Sequence, residues 1–285
     1  MELVSAQGCF RGQQRFYRHD SKVIGLPMRF SAFLPPQAVH EKKRVPVLLY
    51  LAGLTCTEET FAAKGGAQRL AAQLGMALVC PDTSPRGANI PGETDSWDFG
   101  LAAGFYLDAT REPWSRHYRM ESYIVEELLP LLDAELGLDI AHAGITGHSM
   151  GGHGALTLAL RHPGLFASVS ALAPVAAPSE CPWGEKAFSG YLGEDREGWR
   201  AHDASALMAG HKEPPFPAGI LVDQGLDDQF LAEQLRPERF EEACAVARQP
   251  LRLRRHAGYD HSYYFVSTFI GDHLRHHARA MRLEA

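Results

Sequence analysis

The sequence predicts an α/β fold with one mostly parallel central sheet, antiparallel strands at its N-terminal end and helices on both faces. Three observations predict it. Residues 45–51 (VPVLLYL) and 76–80 (MALVC) are short apolar runs of the kind that is buried on both sides of a parallel sheet. Such runs alternate with segments of helical period, and that alternation means parallel pairing with right-handed crossovers. Residues 1–34 have a different texture: the run 28–34 partly alternates and Pro35-Pro36 ends it, as in antiparallel strands joined by turns.

The elements follow in order. Residues 65–74 read as a helix between the first two buried runs. Residues 122–136 read as another, because Ile124, Leu128, Leu132 and Leu136 recur at helical spacing. Pro130 falls inside it and predicts a kink. Strands are expected at 143–146, 166–172, 218–222 and 250–255, and helices at 154–161, 230–248 and 262–282. Residues 83–118 and 175–217 are irregular and rich in Gly, Pro and Trp. In this architecture they are loops at the carboxyl edge of the sheet, where ligands bind.

The chain has 285 residues, 45% of them hydrophobic, enough for one large core. No long Ser/Gly/Pro-rich or charged tract separates two units, so residues 1–285 are expected to form a single domain. The net charge of −6 and the pI near 6.2 argue against a nucleic-acid partner. Arg252, Arg254 and Arg255 read as a solvated strand face. Five widely spaced cysteines without C-x-x-C fit reduced thiols in the cytoplasm. The N-terminus lacks a basic start and an apolar signal core, and no apolar run approaches membrane-spanning length. The oligomeric state is left open, with a homodimer as one option.

The chemistry is concentrated at Gly147-His148-Ser149-Met150-Gly151-Gly152, which matches G-x-S-x-G. A strand must turn sharply into a helix so that the Ser hydroxyl stands clear of the backbone. The nucleophile then sits in strained backbone space, and the positions two before and two after it must be nearly free of side chain. This is the nucleophile elbow of an α/β-hydrolase. A Ser nucleophile needs a base, and the base needs an acid, in the chain order Ser, acid, His. Asp228 is the favoured acid, three residues past Gly225. Asp227 is second, and Asp223 sits at the strand end, where it can hold the turn. His261, in the turn after the last strand, is the favoured base among 14 histidines, with His256 as runner-up. His273, His276 and His277 read as solvated positions of the final helix, and His148 and His153 as packing or positioning residues. No histidine pair has metal-ligand spacing with a carboxylate or Cys nearby, so no metal is expected, and a triad mechanism needs no cofactor. The oxyanion donors are expected to be the backbone N–H groups of Met150 and of Leu54, which follows Gly53 in the loop after the strand at 45–51. Trp97 and Trp183 lie in the two irregular regions and are candidates for the pocket rim. Cys56 lies at a loop-to-helix transition, where a helix N-terminus would favour thiolate.

With these motifs placed, the chain resembles the S-formylglutathione hydrolase (esterase D) family over nearly its whole length. The resemblance rests on LAGLTCTEET at 51–60, PDTSPRG at 81–87, GFYLDAT at 104–110, GHSMGGHG at 147–154, CPWG at 181–184, DQGLDDQFL at 223–231 and GYDHSYY at 258–264. It departs near Glu121-Ser122 and His202-Asp203, where aromatic residues are expected, away from the triad. The resemblance implies a triad of Ser149, Asp228 and His261, and hydrolysis of a small glutathione thioester, S-formylglutathione, to formate and glutathione. A general short-chain carboxylesterase of the same fold is the alternative, since triad residues cannot separate the two. An acyltransferase is a second rival. A catalytically dead binding protein is disfavoured because all three triad members have candidates.

Overall fold

The computed structural model describes residues 1–283, so the last two positions of the expected 1–285 unit lie outside the described residues. The strands are β1 (Glu2–Cys9), β2 (Gly12–Asp20), β3 (Pro27–Leu34), β4 (Pro46–Leu51), β5 (Ala77–Pro81), β6 (Asp139–Gly147), β7 (Ser168–Leu172), β8 (Ile220–Gly225) and β9 (Leu251–His256). They form one sheet in the order β1-β2-β3-β5-β4-β6-β7-β8-β9. β1, β2, β3 and β5 pair antiparallel in turn, and every pair from β5 through β4 to β9 is parallel. This is the α/β-hydrolase arrangement. The two runs expected to be buried on both faces are nearly so: every residue of β5, and every residue of β4 after Pro46, is buried.

The helices that matter for the site are α1 (Glu58–Lys64), α2 (Gln68–Leu74), α3 (Leu129–Leu136), α4 (Met150–Arg161), α5 (Pro182–Tyr191), α6 (Pro237–Ala247) and α7 (Tyr263–Ala280). α4 packs on β4, β6 and β7, whereas α7 packs on β7, β8 and α2. The side chains of Ser168 and Ser170 on β7 face α7. Strand periodicity therefore turns Val169 and Ala171 to the other side. Among the described residues no helix is long and apolar enough to cross a membrane.

Five expectations change. The helix expected at 65–74 starts at Gln68 as α2, and a separate helix, α1, precedes it. α1 starts at a capping box in which Thr57 and Thr60 satisfy each other's backbone N–H, a signal the Thr57-x-x-Thr60 spacing carries. Gly65 and Gly66 separate α1 from α2: Gly66 has φ 68°, and a Cβ on Gly65 would lie 2.4 Å from the Phe61 ring. In 122–136, a wide π-type turn at Tyr123–Leu128 precedes α3, and Pro130 sits in the first turn of α3. Proline offers no N–H to the carbonyl four residues back, and the widened turn rearranges the bonding there. The helix at 230–248 is broken at Arg236, which has φ 48°, and restarts at Pro237 as α6.

The fourth change concerns the last helix. His273 and His277 are fully buried, not solvated. They share a face of α7 with Val266 and Ile270, and that face meets the sheet. His277 hydrogen-bonds Ser168 and Ser170 at 2.7 and 2.8 Å, and His273 bridges Ser170 and Asp223 at 2.8 and 3.0 Å. His276 is half-buried and reaches the Val169 carbonyl. Arg254 also departs from the expected solvated face. Its Nε and Nη2 donate to the two oxygens of buried Asp223, and its Nη1 donates to Asp272 at 2.6 Å. Arg252 and Arg255 on the same strand are exposed.

Candidate active site

The elbow at Ser149 is built as its spelling requires. Ser149 has φ 59° and ψ −121°, a conformation that L residues adopt only under constraint. A Cβ on Gly147 would lie 2.2 Å from the Gly151 carbonyl oxygen, and one on Gly151 would lie 1.9 Å from that of Leu51. Both positions therefore exclude any side chain. The turn is stitched to its neighbours: the His148 N–H donates to Leu51 on β4, and the Ser149 N–H donates to Leu172 on β7, each at 3.0 Å. The 12-residue helix α4 begins at Met150, directing its positive N-terminal end at the Ser hydroxyl.

The candidate acid and base arrive on adjacent parallel strands. Asp228 follows β8 and His261 follows β9. The Asp227 N–H donates to the Tyr259 carbonyl at 3.0 Å and the Leu226 N–H to that of His256 at 2.9 Å, tying the two loops together. His261 Nδ1 lies 2.6 Å from Asp228 Oδ2. A carboxylate only accepts, so Nδ1 carries the proton and Nε2 of the neutral ring is left free as a base. The Asp228 carboxylate also accepts from the Phe230 N–H at 2.9 Å and from Gln224 Nε2 at 3.3 Å, and its side chain is fully buried. Asp227 is exposed. Asp223 does not hold a turn. It is buried within β8 and accepts from Arg254, with His256 Nε2 at 3.2 Å. His256 is thereby committed away from Ser149, stacked 3.8 Å from the Phe269 ring centroid.

The loop after β4 approaches Ser149 closely. A Cβ on Gly53 would lie 3.1 Å from that of Ser149. Tyr106 Oη donates to the Ala52 carbonyl at 2.8 Å and the Thr55 N–H to that of Ala102 at 3.1 Å, which pins the loop. The N–H groups of Leu54 and Met150 have no partner among the described residues.

Ser149 and His261 line one pocket of about 290 Å³, together with Gly53, Leu54, Cys56, His148 and Tyr263. Its wall is aromatic. Trp97 meets Trp183 edge-on at 5.6 Å, Trp183 lies 4.7 Å from Phe230, and Phe230 lies 5.1 Å from the His261 ring. Trp183, on α5, is buried, while Trp97 is 53% exposed. The sequence reading missed Phe230 as part of this wall, though it lies only two residues beyond Asp228. A wider groove of about 560 Å³, lined by Arg252, His276 and Arg279, contains none of the candidate site residues.

The esterase family model matches residues 21–276. An S-formylglutathione hydrolase of Arabidopsis thaliana is 52% identical, with 98% of each chain covered. That of Rattus norvegicus is 50% identical, covering 98% of this chain and 99% of the relative. The solved structure of an S-formylglutathione hydrolase from Agrobacterium tumefaciens superposes with a TM-score of 0.94 at 48% identity, covering 99% of this chain and all of that one. The chain belongs to the S-formylglutathione hydrolase family.

One expectation about this family member's site is overturned. Cys56 lines the pocket next to α1, but its thiol is not poised as thiolate. Burial is the largest influence and pushes its pKa up; the neighbouring Thr60 and Tyr263 hydroxyls pull the other way without prevailing. The cap position of α1 belongs to Thr57, whose side chain takes the Glu59 N–H. Alkylation of Cys56 should accordingly be slow near neutral pH and accelerate as pH rises, since only thiolate reacts. Cys56→Ser should remain active and lose sensitivity to N-ethylmaleimide. A variant as sensitive as its parent would assign the effect to another cysteine, and an inactive one would make the thiol itself necessary.

Proposed function

We propose that this chain hydrolyses S-formylglutathione to formate and glutathione through a formyl-enzyme on Ser149, with His261 as base and Asp228 as its orienting acid. The observation that carries the reading is the shared pocket of Ser149 and the Asp228-bound His261 in a chain of this family. The Ser149 oxygen adds to the formyl carbon while His261 Nε2 takes its proton. The Leu54 and Met150 N–H groups stabilise the oxyanion. Collapse breaks the carbon–sulfur bond, and the departing thiolate takes the proton from His261. Thiolate is an easy leaving group, since a free thiol has a pKa of about 8.5. Water then adds to the formyl-enzyme, His261 again takes a proton and returns it to the Ser149 oxygen, and formate leaves.

Residues 1–285 act in this reading as one catalytic unit, and five free cysteines fit a cytoplasmic setting. The reading is tested by following thiol release from S-formylglutathione in the parent and in Ser149→Ala.

The aromatic wall makes a further expectation about acyl size. If Trp97 and Trp183 close a small acyl site, formyl thioesters are preferred over longer acyl thioesters. Trp183→Ala, and to a smaller degree the more exposed Trp97→Ala, should raise kcat/KM on longer acyl chains relative to formyl. Shortening a pocket wall by one aromatic side chain typically shifts such a ratio by about 10- to 100-fold. An unchanged chain-length preference in both variants would remove these residues from acyl selection.

A further inference from the structure

His148 is a second imidazole on the wall of the catalytic pocket. It is 4% exposed, and its Nε2 has no hydrogen-bond partner among the described residues. Its ring centroid lies 4.5 Å from that of His261, tilted by 39°, and 5.8 Å from that of Tyr263. Two buried hydroxyls belong to the same patch, that of Tyr263, which also lines the pocket, and that of Tyr50, and these two lie next to each other. Buried polar atoms are nearly always paired. An unpaired imidazole nitrogen beside Ser149, with a hydroxyl on the same pocket wall, points to a small polar guest, and a water needs two to four polar partners.

We propose that His148 and Tyr263 hold the water that hydrolyses the acyl-enzyme. The inference rests on the Ser149–His261 reading above and adds to it the origin of the second nucleophile. The leaving thiolate departs beside His261, so the attacking water must enter beside His261 as well. His148 packs against that ring. Burial and the neighbouring His261 hold the His148 pKa well below its ordinary value, so its imidazole stays neutral. A neutral ring both donates and accepts, which orients a water without competing for its proton. In the step itself the water oxygen bonds to the acyl carbon, His261 takes the proton, and the bond to Ser149 breaks as that proton returns to its oxygen. His148 neither gains nor loses a proton; it is a positioning residue.

The test separates acylation from deacylation with p-nitrophenyl acetate as probe. For an acyl-enzyme mechanism kcat/KM reports acylation alone, and slowed deacylation lowers kcat and KM together. His148→Phe should lower kcat by about tenfold or more while kcat/KM stays within about threefold. It should also produce a pre-steady-state burst of p-nitrophenol and an acetyl-enzyme visible in the intact mass. His148→Gln, which keeps a donor and an acceptor, should recover much of the lost kcat. Tyr263→Phe should show the same split more weakly, and it decides the matter if the His148→Phe variant does not fold. Parallel loss of kcat and kcat/KM, or no change in either, would overturn the water site while leaving the triad reading intact. A label that persists in Ser149→Ala would instead sink the triad reading.

Discussion

Ser149→Ala is expected to lower kcat by roughly 10⁴-fold or more, leaving only the residual catalysis of the oxyanion hole and binding. The fold should survive the change. Ala meets the same backbone strain at φ 59° that Ser does, and the bonds that pin the elbow run from backbone N–H groups to Leu51 and Leu172. Thiol release from S-formylglutathione measures the first claim, and an unchanged Tm measures the second. Near-normal turnover, with contamination by parent enzyme excluded, would remove Ser149 as the nucleophile.

The second large effect concerns the acid. Asp228→Asn should cost about 10³- to 10⁴-fold in kcat, because an amide can donate to Nδ1 and so trap the imidazole in the tautomer that has no free base at Nε2. It also removes the charge that stabilises the imidazolium. Asp227→Asn should stay within about threefold, since surface substitutions away from such features have small effects and Asp227 is exposed. Both are read from kcat on one substrate. The reverse ranking would move the acid to Asp227 and require the loop after β8 to be repositioned in the working enzyme.

Much of this architecture was legible because its signals are local. The apolar runs that became β4, β5 and β7 cannot be half-exposed, and the glycines around Ser149 answer to backbone clashes below 2.5 Å. The pairing of Asp228 with His261 follows from loops on adjacent strands, which the chain order anticipates. What was misread depends on partners distant in sequence. His273 and His277 are polar letters on a buried face of α7, made tolerable by Ser168, Ser170 and Asp223. Their spacing from Val266 and Ile270 carried the face, but composition alone argued for solvent. Arg254 looks like a surface cation in the sequence because its carboxylate, Asp223, lies 31 positions earlier. Cys56 was judged by a helix terminus, whereas burial by the loops around it governs the thiol. The start of α1 after Thr57 and the break before Pro237 were written locally and could have been read as helix boundaries.

The most direct measurement is a comparison of kcat/KM on S-formylglutathione, S-acetylglutathione and a short p-nitrophenyl ester, with one preparation of the full chain. The account predicts that S-formylglutathione is preferred over both by at least about tenfold, a difference of about 1.4 kcal/mol in transition-state binding. Equal or higher kcat/KM on the p-nitrophenyl ester would contradict it and make the chain a general carboxylesterase on the same triad.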